Sequence, residues 1–169
     1  LIGCSKSANT KSCIEGQIKY EEIINGIAHE NGLILGSIKG EVHTYDLQVH
    51  EEIKVCSVGF KGYDNGIYRI EVWENDIQIF QEHLVFESTK LNYVPIPMLI
   101  MHPNNTYHIS RKKIDFSNDN ELSSDCFWKG NTDTLNFPYN YSNFTILSSS
   151  ISLNGVTTSN TYLPLIMFG

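Results

Sequence analysis

From Gly32 onward, apolar and polar residues alternate with a period of two, and Gly, Asn, Asp and Pro interrupt the alternation at short intervals. This pattern predicts β-strands, because successive side chains of an extended chain point to opposite faces. Strands are expected over about 33–38, 41–49, 52–60, 67–74, 77–86, 92–101, 106–112, 143–153 and 161–168. Within 67–74, Tyr68, Ile70 and Val72 share one face, and Arg69, Glu71 and Trp73 share the other. One apolar and one polar face per strand marks antiparallel sheets packed on a single side. Asp64-Asn65-Gly66 carries the Asn-Gly signal of a tight turn, which predicts that 52–60 and 67–74 pair as a hairpin. Glu74-Asn75-Asp76 predicts the next turn, and Pro95 with Pro97 makes 92–101 an edge strand or a kinked crossing. Helical periodicity is confined to a short turn through Tyr20-Glu21-Glu22-Ile23-Ile24, within Ile14–Ala28 and limited by Gly16 and Gly26. The expected fold is all-β: an antiparallel β-sandwich, jelly-roll-like, forming one domain over 14–169 behind a tether over 1–13.

The pattern weakens from Asp115 to Asn143, where Cys126, Phe127, Trp128, Phe137, Tyr139 and Tyr141 are spread among Asn, Asp and Ser. This stretch is too long for an idle connection and is expected to be a functional loop or a cover packed on the sandwich.

Composition narrows the classes. A hydrophobic fraction of 41% with 18% charged residues is that of a globular chain. The net charge of −7 excludes a phosphate-backbone partner and disfavours anionic headgroups, since Arg111-Lys112-Lys113 is the longest basic run. No stretch approaches the ~20 apolar residues needed to span a bilayer.

Leu1-Ile2-Gly3-Cys4 resembles the lipobox of bacterial lipoproteins, and a polar run, Ser5 to Ser12, follows it. The resemblance implies a diacylglycerol on Cys4, an extracytoplasmic chain held by a lipid anchor alone, and, with Ser5 next, sorting to an outer membrane. The other cysteines are Cys13, Cys56 and Cys126; if Cys4 carries no lipid, four cysteines allow three pairings. Asn104-Asn105-Thr106, Asn140-Tyr141-Ser142 and Asn143-Phe144-Thr145 fit the N-glycosylation pattern of a eukaryotic secreted chain, a pattern that Asn-rich sequence also gives by chance.

Three strings carry a further likeness: Gly66-Ile67-Tyr68-Arg69-Ile70-Glu71-Val72-Trp73-Glu74, Leu91-Asn92-Tyr93-Val94-Pro95-Ile96-Pro97, and Pro103-Asn104-Asn105-Thr106-Tyr107-His108-Ile109-Ser110. Over about residues 52–112 the chain resembles bacterial β-sandwich modules of undefined function on cell-surface and glycan-acting proteins, which are similar to the PHR β-sandwich. That resemblance implies an accessory role and brings no catalytic residues.

Chemical motifs are sparse. There is no Gly-x-Ser-x-Gly elbow, no phosphate-binding glycine loop and no Cys-x-x-Cys. His43 and Tyr45 share a strand face with His50 beyond, and His102 and His108 flank a turn; two such histidines lack a third metal ligand. No cofactor is expected, and Asn118-Asp119-Asn120-Glu121 is the one string suited to a structural Ca²⁺. Glu71 with Glu82 or Glu87 is the candidate carboxylate pair for glycoside hydrolysis. Sugar binding needs a flat ring for the apolar face of a pyranose and polar groups for its hydroxyls. Trp73 with Arg69 and Glu71, Trp128 with Asn131 and Asp133, and Tyr139 with Tyr141 meet that description. The competing reading is that Trp73 plugs the sandwich edge and Trp128 pins the loop. The expected function is a non-catalytic surface module that binds a glycan or another extracellular ligand. The alternatives are a structural or adhesion subunit binding a surface protein, and then a hydrolase.

Overall fold

The computed structural model describes residues 22, 24–60, 65–87, 91–116, 122–129, 134–141, 143–164 and 166–169, and of Tyr141 and Met167 only the backbone. Residues 24–30 are helical, beyond the turn expected at 20–24. The strands β1 (Ile34–Lys39), β2 (Val42–Val49), β3 (Ile53–Phe60), β4 (Gly66–Glu74) and β5 (Ile77–Phe86) follow. Next come β6 (Asn92–Met101), β7 (Thr106–Lys113), β8 (Ser123–Trp128) and β9 (Tyr139–Tyr141). The chain ends with β10 (Phe144–Leu153), β11 (Val156–Ser159), β12 (Tyr162–Pro164) and β13 (Ile166–Phe168).

All described pairings are antiparallel, and the architecture is the expected β-sandwich. One layer is a seven-stranded sheet of order β11-β10-β2-β7-β4-β5, with β9 also paired to β10. Two three-stranded sheets, β1-β8-β12 and β13-β3-β6, pack on its inner side. The Tyr45 hydroxyl on β2 donates to the Ile166 carbonyl on β13 at 2.7 Å, and Ser124 on β8 meets the His43 imidazole on β2 at 3.2 Å. The alternation sorts the faces as read: Tyr45, Leu47 and Val49 of β2, and Tyr68, Ile70 and Val72 of β4, are buried against the facing sheets. Phe60, Tyr68 and Phe86 pack ring to ring with centroids 4.8–5.8 Å apart. Burying each such side chain contributes about 1.5–3 kcal/mol, so the two layers are held mainly by this apolar contact.

Three expectations are corrected. Strands 52–60 and 67–74 do not form a hairpin: β3 pairs with β6 and β13, and β4 with β5 and β7. The two strands lie in opposite layers, with Phe60 of β3 meeting Tyr68 of β4 and Phe86 of β5 across the core. The 115–143 stretch is not one long loop, since it contains β8, which pairs with β1 and β12, and β9. The last predicted strand is divided into β12 and β13, which pair with different sheets. Pro95 and Pro97 do lie on an edge strand, β6, beside a register shift.

Among the described residues no helix is long and apolar enough to cross a membrane. Cys56 is disulfide-bonded, and Cys126 is a free, buried thiol whose pKa burial pushes up to about 12.

Candidate functional site

The outer face of the large sheet carries a continuous set of polar and charged side chains. Pairing register sets it in rows across the strands. One row joins Ser148 (β10), Asp46 (β2), His108 (β7), Trp73 (β4) and Gln78 (β5). The next joins Ser150, Thr44, Ser110, Glu71 and Gln81, and Arg69 and Lys112 sit side by side one row further. Strand residues two apart share a face, so period two alone places Trp73, Glu71 and Arg69 together.

Two adjoining open depressions lie over the first row. One, of about 490 Å³, is lined by Glu71, Trp73, Asp76, His108 and Ser110. The other, of about 520 Å³, is lined by Asp46, Asn75, Asp76, Thr106 and His108. Both volumes fall in the range of small-molecule sites, roughly 300–1,000 Å³. Trp73 is half-buried, so its ring is seated yet reachable. A register shift between Val72 and Trp73 inserts an extra residue into β5 beside it, which sharpens the local twist and re-aims the side chains.

The shared lip is the tight turn at Asn75-Asp76, where both residues adopt positive φ, 46° and 69°. Asn and Asp tolerate that conformation better than most residues, which fits the turn read from the sequence. The turn is tied down by hydrogen bonds from Asn75 N–H to the Thr106 carbonyl at 2.9 Å and from Thr106 N–H to Asn75 Oδ1 at 3.1 Å. Just behind it, the Tyr107 hydroxyl and Asn105 amide both donate to Glu74 Oε1. These two donors hold the Glu74 carboxyl below its usual range, while burial and that carboxylate push Tyr107 up to about 12. The lip is therefore built into the sheet before any ligand arrives.

Charged groups on the floor are mutually oriented. His108 Nδ1 donates to Asp46 Oδ1 at 2.7 Å, and the Ser148 hydroxyl donates to Asp46 Oδ2. Bonding to Asp46 holds the His108 imidazole above its ordinary value, and bonding to His108 holds Asp46 below its own. Arg69 Nε lies 3.3 Å from Glu71 Oε1 as an ion pair without hydrogen-bond geometry, and Glu71 Oε1 accepts Gln78 Nε2 at 3.4 Å. With Nδ1 engaged, His108 has its Nε2 left for a ligand in the depressions it lines.

The other sequence candidates do not join this site. Trp128 lies on a different sheet, tilted against Tyr162 with centroids 6.4 Å apart, and its indole Nε1 sits over Gly36, where an added Cβ would come within 2.5 Å. Trp128 is half-buried at the end of β8, opposite Ile34 and Tyr162, and not in a loop. Tyr139 is corrected as a ligand platform: it is buried, packed on Phe137 with centroids 4.9 Å apart. Tyr141 lies on β9, and its side chain is not described; Asn131, Asp133, Cys4 and the Asn118–Glu121 string fall outside the described residues. Of the candidate carboxylate pairs, Glu71 with Glu82 fails on register, because Glu71 stands opposite Gln81 whereas Glu82 stands opposite Ile70 on the other face; Glu87 lies just beyond the end of β5. Among the described residues no cluster of His, Cys, Asp and Glu could hold a metal ion. Of the histidines weighed for metal, His43 is buried in the core and His108 is on the outer face.

The sequence alone did not point to Asp46, Asp76 or Ser110 as binding residues, and pointed to His108 only as a candidate metal ligand. The only local signal was the Asn75-Asp76 turn; Asp46 and His108 are 62 positions apart and meet only through β2–β7 register. No protein-family model matches the chain, and no curated protein matches it either.

Proposed function

We propose that this chain is a non-catalytic extracytoplasmic module that binds a glycan on the outer face of its large sheet, tethered by a lipid on Cys4. The observation that carries the reading is Trp73, half-buried on the depression's floor beside Glu71, Asp76, His108 and Ser110. A ring offers the apolar face of a pyranose its contact, and the surrounding acceptors and donors suit its hydroxyls. The disulfide at Cys56 supports an oxidising compartment, in keeping with the lipobox-like start and the resemblance to surface β-sandwich modules.

The test is a glycan array probed with the full chain. Trp73→Ala is expected to weaken the leading hits at least tenfold, about 1.4 kcal/mol. Trp128→Ala, on a different sheet, is expected to leave those hits intact. Loss of binding in Trp128→Ala with retention in Trp73→Ala overturns the assignment of the site.

A second reading, protein adhesion, rests on β1. That strand has one described neighbour, β8, and shows Ile34 and Leu35 to solvent at 48% and 58% exposure. An edge strand with apolar side chains suits pairing with a partner's strand. Proline at Leu35 would block that pairing, and partner capture that survives the change rules the edge out.

A further inference from the structure

We infer that the groove takes a glycan without acidic groups, at least two sugar units long, laid across the strands. The inference rests on the glycan reading above and specifies its ligand.

The first argument is where the charges sit. Around Trp73 and His108 the lining carboxylates are Asp46, Glu71 and Asp76. The cations of this face are already committed or remote. His108 is engaged by Asp46, and Arg69 by Glu71. Arg69 is four residues from Trp73 along β4, roughly 13 Å at the rise of an extended strand, with Lys112 beside it in the same row. Among the described residues no cation pairs with Asp76, which stands on the lip common to both depressions. A uronate, sialate or sulfate seated on Trp73 would therefore face three carboxylates at short range, set against a His108 whose charge is already paired with Asp46. Neutral hydroxyls find acceptors there instead, and the three carboxylates do not repel them.

The second argument is direction and length. Ser148, Asp46, His108, Trp73 and Gln78 form a row that runs perpendicular to the strands, one polar or aromatic group per strand. Neighbouring strands are ~4.8 Å apart, close to the length of one pyranose unit. The two depressions sit side by side over this row and share His108 and Asp76. A single sugar on Trp73 fills the first and leaves Asp46, Asn75 and Thr106 unused, so a longer chain gains contacts that a monosaccharide lacks.

The deciding experiment probes the full chain, Trp73→Ala and His108→Gln on an array printed with neutral, amine-bearing, uronate, sialylated and sulfated glycans, each from one to four units. Circular dichroism checks that both variants fold, and His108→Gln keeps the test decisive if Trp73→Ala does not. The expected result is retention of neutral or amine-bearing glycans, at least tenfold stronger for two or more units than for one, and weakened in both variants. Variant-sensitive hits that are mainly acidic, or as strong for monosaccharides, overturn this inference and leave the glycan-binding reading standing. An array without any variant-sensitive hit overturns that reading, and this inference with it.

Discussion

The two faces of the large sheet are written by the same strands, and they treat the same residue types in opposite ways. On β2 and β7, His43 and Arg111 stand opposite each other on the inner face, and Asp46 and His108 on the outer. Burial holds the His43 imidazole well below its ordinary value, with the Arg111 cation adding to the effect; His108, bonded to Asp46 in a half-exposed setting, is held above. Arg111 is 1% exposed, its guanidinium lies 4.3 Å from the Phe60 ring centroid and 5.2 Å from that of Tyr68, and its Nε and Nη2 have no hydrogen-bond partner. Burial lowers it to about 10. Arg69 on the outer face has Glu71. The comparison teaches that polarity alone does not mark the binding face. Exposure with a mutual partner, as in Asp46 with His108, does, whereas Arg111 Nε and Nη2 and His43 Nε2 are packed into a core that leaves them without hydrogen bonds.

Aromatic truncation separates the faces most sharply. Tyr68→Ala on the inner face is expected to cost about 3–5 kcal/mol, because it empties the cluster it makes with Phe60 and Phe86 and strips one ring from Arg111. Trp73→Ala on the outer face is expected to stay within about 1 kcal/mol, as a change on a solvent-facing surface. Urea titrations of both variants decide it; comparable losses would show that Trp73 is part of the core. Next in size is Arg111→Met. Methionine keeps length and apolar contact without a buried charge, so the variant is expected to gain about 1–4 kcal/mol, as buried ionic groups often do when replaced by well-packed apolar ones. A loss of stability would mean that the contacts with Phe60 and Tyr68 outweigh the desolvation of the guanidinium.

How far the sequence showed this depends on the range of the interaction that decides each feature. The Trp73, Glu71 and Arg69 face follows from period two within a single strand, and the Asn75-Asp76 turn from local backbone preference, so both were legible. Asp46 with His108 was not, since register between strands far apart in sequence has no local signature. The Asn65-Gly66 signal misled for the complementary reason: turn chemistry is local, but the partner of β3 was chosen by burial across the sandwich. β8 was missed because its Ser124, Asp125, Cys126 and Phe127 are all buried, so the strand has no wet face and shows no alternation. Tyr139 carried the same aromatic-and-Asn signature as a sugar platform; its position against Phe137 is a tertiary fact.

The smallest effects test the comparison through pH. His43 is held neutral in the fold, so below about 6.5 the unfolded chain takes up a proton that the folded chain refuses. Its contribution is therefore lost as pH falls below about 6.5, at up to about 1.4 kcal/mol per pH unit, and His43→Phe is expected to flatten that slope. His108 has the opposite sign. Its folded value is raised, so its contribution is complete below about 6.5 and disappears as pH rises through the higher folded value. The effect is smaller because its side chain is 46% exposed and solvent screens the pair with Asp46. Asp46, held low by the same bond, adds a loss only in the acid range, as pH falls below about 4 through its folded value. Imidazole proton NMR separates the two histidines directly: the His108 resonance is expected to titrate above 6.5 and to move back toward it in Asp46→Asn, while that of His43 stays unprotonated through pH 6. If both rings titrate together near the ordinary histidine value of about 6.5, the two faces do not differ electrostatically, and the preset His108–Asp46 pair drops out of the binding site.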